Sequence, residues 1–137
     1  MRKIVFIGGM AALLALPGAV AAQSANETVA RLEPVGSGIS GVVSLHQLSP
    51  SGTGISVFAN GLRPGVQYVS LYYDNGSCQL EPYSAEDVIG GPYTANASGE
   101  ARTMGAADDD LDEIHSVSVR LASTFQLLAC APVGMGG

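Results

Sequence analysis

The chain has 137 residues, 12 acidic and 6 basic for a formal net charge of −6, with 18 glycines, 7 prolines, two cysteines and no tryptophan. That is the length of one domain and excludes a multidomain enzyme within these residues, while 47 % hydrophobic residues supply a core. The acidic balance disfavours nucleic-acid backbones and anionic membrane surfaces, both of which are bound through clustered Lys and Arg; a cationic partner or a metal ion stays open.

Residues 1–22 carry Arg2 and Lys3, an apolar run from Ile4 to Leu16, and the small residues Ala19-Val20-Ala21-Ala22. These are the three parts of a cleavable secretory signal, and the run is too short to span a bilayer comfortably; a membrane anchor is the alternative. The expectation is therefore export to the periplasm or the medium, with no stable membrane span after cleavage. Removing the segment leaves Arg31, Arg63, Arg102 and Arg120 against twelve acidic residues, hence a net charge of −8, and no lysine. In an oxidising compartment an even cysteine count most simply means one disulfide between Cys78 and Cys130. Two free thiols serving as metal ligands or as a redox pair are the alternative, which lacks a Cys-x-x-Cys spacing.

Residues 23–38 read as a flexible lead-in that adds a strand around Val29 to Leu32. From 39 to 133 the texture is that of short strands. Val43 to Leu48 is β-rich, and after Ser49-Pro50-Ser51-Gly52 a second run sets Ile55, Val57 and Ala59 against Ser56, Phe58 and Asn60, the period of a strand. Pro64-Gly65 turns the chain into Val66 to Tyr73, where Val69, Leu71 and Tyr73 alternate with Tyr68, Ser70 and Tyr72. Asn75-Gly76 is another turn. Cys78 to Pro92 has little periodicity and reads as an irregular loop. Tyr93 to Ala95 and Glu100 to Met104 are short strands, followed by the acidic stretch Asp108 to Glu113. His115, Val117, Val119 and Leu121 then share one strand face, and Phe125, Leu127, Ala129 and Ala131 another. Residues 134–137 read as a disordered tail. Strands at intervals of about ten residues, with no amphipathic helix, predict an all-β antiparallel sandwich or small barrel.

Chemistry-bearing residues are few. His46 and His115 are the only histidines, and a catalytic zinc site usually takes three protein ligands. A copper or zinc site would have to combine both with carboxylates such as Asp108 and Asp110. His46 is out of phase with Val43 and Leu45 and is expected to face solvent. The Asp108–Glu113 run lacks the spaced pattern of a calcium loop and reads as a solvated acidic turn. There is no Gly-x-Ser-x-Gly for a nucleophile and no phosphate-cradling glycine motif. Tyr68, Tyr72, Tyr73 and Tyr83, with the Cys78–Pro92 loop, form the candidate binding surface; the alternative is that these rings complete the core.

The order of motifs resembles a known family. Gly61-Leu62-Arg63-Pro64-Gly65 precedes a strand, Tyr73-Asp74-Asn75-Gly76-Ser77-Cys78 follows it, His115-Ser116-Val117-Ser118-Val119-Arg120 comes late, and Leu128-Ala129-Cys130 closes the series. Over residues 39–133 this resembles the copper/zinc superoxide dismutases. The resemblance implies a Greek-key β-sandwich, immunoglobulin-like in class, with Cys78 joined to Cys130. It also shows what is missing. The places of the copper-strand histidines hold Tyr68, Ser70 and Tyr72, the zinc loop from Gln79 to Ala107 has no histidine, the late copper ligand falls near Phe125, and the anion-guiding arginine falls at Leu127. A second resemblance, to the chordin-type domains of secreted bacterial proteins, lacks their His-Ile-His signature.

The sequence thus points to an exported, non-catalytic, superoxide-dismutase-like β-sandwich that binds an unknown protein or small ligand or serves a structural role, with no cofactor expected. The alternatives are a copper- or zinc-handling protein using His46, His115 and nearby carboxylates, an active dismutase, which the lost ligands disfavour, and a protein-protein module recognisable by an uncovered sheet edge or apolar patch.

Overall fold

Alternation of apolar and polar side chains is what the strands are built on. The computed structural model, which describes residues 26–82 and 87–134, contains β1 (Glu27–Pro34), β2 (Ser40–Gln47), β3 (Thr53–Asn60), β4 (Gln67–Val69), β5 (Tyr72–Tyr73), β6 (Tyr93–Thr94), β7 (Ala101–Ala107), β8 (Ser116–Leu121) and β9 (Leu127–Pro132). The predicted signal segment, the start of the lead-in, Tyr83 and residues 135–137 lie outside the described residues. Among those described, no helix is long and apolar enough to cross a membrane.

The strands follow the order β6-β4-β8-β9-β1-β2-β3-β7, all pairs antiparallel. Because β6 and β7 also touch, the sheet nearly closes, and the architecture is an all-β barrel or sandwich. Around that seam the order is β8-β4-β6-β7, so the fourth strand in sequence returns beside the first, which is Greek-key connectivity.

The expected lead-in is corrected by β1, a full eight-residue strand between β2 and β9. It buries only Ala30 and Leu32 and spends its other positions on polar or exposed residues, so its apolar signal is thin. Leu32, Val43, Leu45, Ile55, Val57, Val117 and Val119 line the core, each contributing about 1.5–3 kcal/mol of transfer free energy.

β4 and β5 are one strand in register. Tyr68 faces Leu121, Val69 faces Arg120, Tyr72 faces Val117 and Tyr73 faces Ser116 on β8. Tyr68 and Tyr72 join the main core, while Val69, Leu71 and Tyr73 join a second cluster with Cys78 and Cys130. Both faces of this strand are therefore covered.

Residues 88–90 close the seam between this strand and β7. Leu71 bridges Val88, Ile89 N–H donates to Ser70 O at 2.8 Å, and Thr103 Oγ1 donates to Ile89 O at 3.0 Å. The approach needs glycine on both sides: a Cβ on Gly105 would lie 2.7 Å from Gly90 N, and Gly90, at φ +69°, packs against Thr103 and the Met104 carbonyl. The loop thus shields an edge that would otherwise offer unpaired backbone groups.

One expected strand face is split by a bulge. Val119 pairs with Ala129 but Arg120 with Leu127, so Leu128 is the extra residue. Ala129, Ala131 and Leu128 pack on the main core, while Phe125 and Leu127 pack on the second cluster. A one-residue slip exchanges the faces.

Candidate functional site

The tyrosines expected as an exposed surface are buried. Tyr68, Tyr72 and Tyr73 are 3 %, 9 % and 3 % exposed. The reason is the double covering of β4 and β5: alternation separates their two faces but says nothing of the loop folded over the outer one. Arg63 N–H donates to the Tyr68 hydroxyl at 2.9 Å, and the Tyr73 hydroxyl shares a 2.8 Å hydrogen bond with Ser118 Oγ. Burial, followed by the negative charges of Asp87 and Asp109, pushes the Tyr72 hydroxyl up to about 12.

The positions that the dismutase resemblance would give to copper are closed. Tyr68 and Tyr72 complete the core, and Ser70 Oγ lies 2.7 Å from the Tyr93 hydroxyl, itself pushed up to about 12 chiefly by burial. Phe125 and Leu127, where the late ligand and the guiding arginine would fall, pack apolar side chains into the second cluster. Buried hydroxyls held by their neighbours and apolar groups do not fit copper or zinc, which take imidazole, thiolate or carboxylate donors.

That second cluster is built on the Cys78–Cys130 disulfide, whose Cα atoms are 6.0 Å apart. Beside it lies Arg120, 6 % exposed. Its Nε donates to the Tyr73 hydroxyl at 2.8 Å, and its two terminal nitrogens donate to Phe125 O at 2.6 Å and to Cys78 O at 2.7 Å. All three acceptors are neutral. The guanidinium therefore joins the disulfide loop, β5 and the β8–β9 turn. In the sequence Arg120 stands within the His115–Arg120 motif, and its signal is an arginine flanked by Val119 and Leu121 in an apolar strand.

His46, His115 and Asp110 border three different depressions. His46 is exposed on β2, its ring lying over Gly54, and it borders a depression with Ser44, Ser56 and Met104. His115 instead borders one lined by Asp74, Asp109, Asp112 and Glu113, and its Nδ1–H donates to Asp74 O at 2.7 Å. The two imidazoles are not brought into one site. Asp108 is exposed. Asp110 is a fastening: its Oδ1 accepts from Gly52 N–H at 2.8 Å and from Gln47 Nε2 at 2.9 Å. Those hydrogen bonds hold its carboxyl below the usual range. Gln47 Oε1 also accepts from Leu111 N–H at 2.8 Å, so the acidic turn, which includes a 3-10 helix at Leu111–Glu113, is pinned to the β2–β3 hairpin. Among the described residues, no three His, Cys, Asp or Glu side chains converge as metal ligands.

Charge has accumulated at this end. Burial, then the negative charges of Asp74, Glu113, Asp87 and Asp108, raises the Asp109 carboxyl above its ordinary value. A raised folded-state pKa gives stability that is full below the unfolded value and lost as pH rises through the folded one. Asp109→Asn is therefore expected to raise the melting temperature at neutral pH, with the gain vanishing below about pH 3, where the aspartate is protonated too. Thermal unfolding of both proteins across that pH range measures it.

The outer face of β1, β2, β3 and β7 shows Val29, Val42 and Met104 at 52 %, 44 % and 65 % exposure, with the Arg102 guanidinium 5.0 Å from the Phe58 ring centre. No protein-family model matches the chain, and comparison with curated proteins finds no match either.

Proposed function

We propose that this chain is an exported, disulfide-locked β-sandwich with a binding or structural role, related in plan to the copper/zinc superoxide dismutases but without their chemistry. The observation that carries this reading is the state of Tyr68, Ser70 and Tyr72: they stand in the copper-strand places and are buried, with Ser70 hydrogen-bonded to Tyr93. A redox cycle needs an open, ligated metal, and guiding superoxide needs positive potential beside it. Here Phe125 and Leu127, in the places of the late ligand and the guiding arginine, are apolar, and the chain is acidic. Export is supported by the basic, apolar and small-residue pattern of residues 1–22.

The test is metal analysis of the purified oxidised protein after incubation with copper and zinc and desalting, together with a superoxide-consumption assay. The expected result is substoichiometric metal and no turnover above background. Stoichiometric metal with turnover would overturn the reading; stoichiometric metal without turnover would replace it with metal handling.

A further inference from the structure

We propose that the cleft between the loop after β1, the turn after β3 and the β8–β9 turn binds a small organic carboxylate with a short apolar body. This rests on the reading of the protein as a binding scaffold and gives that scaffold a site. The cleft has a volume of about 460 Å³, within the range of small-molecule pockets. Ile39, Val66, Leu121 and Leu128 supply its apolar wall.

Its polar side chains are Ser37, Arg63, Tyr68 and Gln126, and no acidic side chain lines it; the Ser37 hydroxyl is already spent, donating to Leu128 O at 2.6 Å and accepting from Ile39 N–H at 3.2 Å. In a chain of net charge −6, the cleft therefore presents a cationic group with no carboxylate on its walls to compete for it. The Arg63 guanidinium and the Gln126 side-chain amide have no hydrogen-bond or ion-pair partner among the described residues. Tyr68 is 3 % exposed, and its hydroxyl accepts from Arg63 N–H at 2.9 Å while its own proton has no acceptor among the described residues. With Tyr68 lining the cleft, that unspent donor is available to an acceptor placed there.

The donor set fixes the ligand class. A guanidinium fork, a phenolic O–H and an amide N–H match the lone pairs of one carboxylate. The apolar wall would be left wet by a bare inorganic anion and covered by a short hydrocarbon body. An amine would place its charge against Arg63. The residues involved come from the turn after β3, β4 and the β8–β9 region, so no local motif announces the site.

The test is a titration of the purified ¹⁵N-labelled protein with sodium hexanoate, followed by amide shifts. Saturable shifts confined to residues 36–39, 61–68 and 121–128 are expected, with Arg63→Gln weakening binding about tenfold through loss of the charge-assisted hydrogen bonds. Tyr68→Phe, which keeps the ring in the core, is expected to weaken it several-fold. Hexan-1-ol and hexylamine should not compete. Shifts that do not saturate, shifts that map elsewhere, unchanged affinity in Arg63→Gln, or equal binding of hexan-1-ol would each overturn the proposal. Stoichiometric metal with superoxide turnover would instead sink the scaffold reading, and that measurement is independent of the titration.

Discussion

Replacing Cys78 and Cys130 together by alanine is expected to lower the melting temperature by roughly 15–30 °C. The disulfide closes a separation of 52 residues, which on the chain-entropy model withdraws about 4 kcal/mol from the unfolded state. At about 4–8 °C per kcal/mol for a domain near this size, that gives the shift. A second contribution comes from packing. Cys78 is fully buried and Cys130 is 8 % exposed, and together with Val69, Leu71 and Tyr73 they fill the cluster outside the barrel. Without the bond, the segment after β5 is no longer tied to β9, and the outer face of β5 loses its cover. Thermal and urea unfolding of the oxidised protein and the double variant check it; equal midpoints would mean that the segment is held by packing alone.

Strands are legible in the sequence where one face is apolar and the other polar. In β3, Ile55, Val57 and Ala59 are buried and Ser56, Phe58 and Asn60 are half-buried, as the alternation predicts. The pattern is lost where covering comes from elsewhere. The run from Tyr68 to Tyr73 is buried throughout, because its second face lies under a segment that has no period of its own. β1 was legible only as a weak strand, since it buries Ala30 and Leu32 and leaves Val29, Arg31 and Glu33 exposed. The bulge at Leu128 was invisible, because inserting one residue changes the face of Phe125 and Leu127 without altering composition. The disulfide was legible from the count of two. The carboxylate cleft was not, since Ile39, Arg63, Tyr68 and Gln126 meet only through the return of the chain across the barrel end.

Arg120→Ala is expected to cost about 2–4 kcal/mol, because it leaves buried neutral acceptors without their donor, at about 1–3 kcal/mol for such a group, and removes buried volume. The guanidinium is buried against the Tyr73 ring, its carbon 5.8 Å from the ring centre, and truncation empties that volume. It also leaves Cys78 O, Phe125 O and the Tyr73 hydroxyl without the donor that joins them. Arg120→Lys keeps the charge but offers one nitrogen in place of a planar fork, and it should recover only part of the loss. Arg120→Met keeps much of the volume without the charge. Since the native guanidinium has neutral acceptors rather than a carboxylate at these three contacts, Met should fall between Ala and the native protein. The decisive comparison pairs Arg120→Ala with the cysteine double variant. Both restraints hold the chain at Cys78, one through its sulfur and the other through its carbonyl. Once the disulfide is absent and this segment is released, the arginine has less to hold. Its removal should then cost less than in the oxidised protein, with a coupling of about 0.5–3 kcal/mol in a double-mutant cycle of unfolding free energies. Additive losses would show instead that the arginine acts through Phe125 and the β8–β9 turn alone.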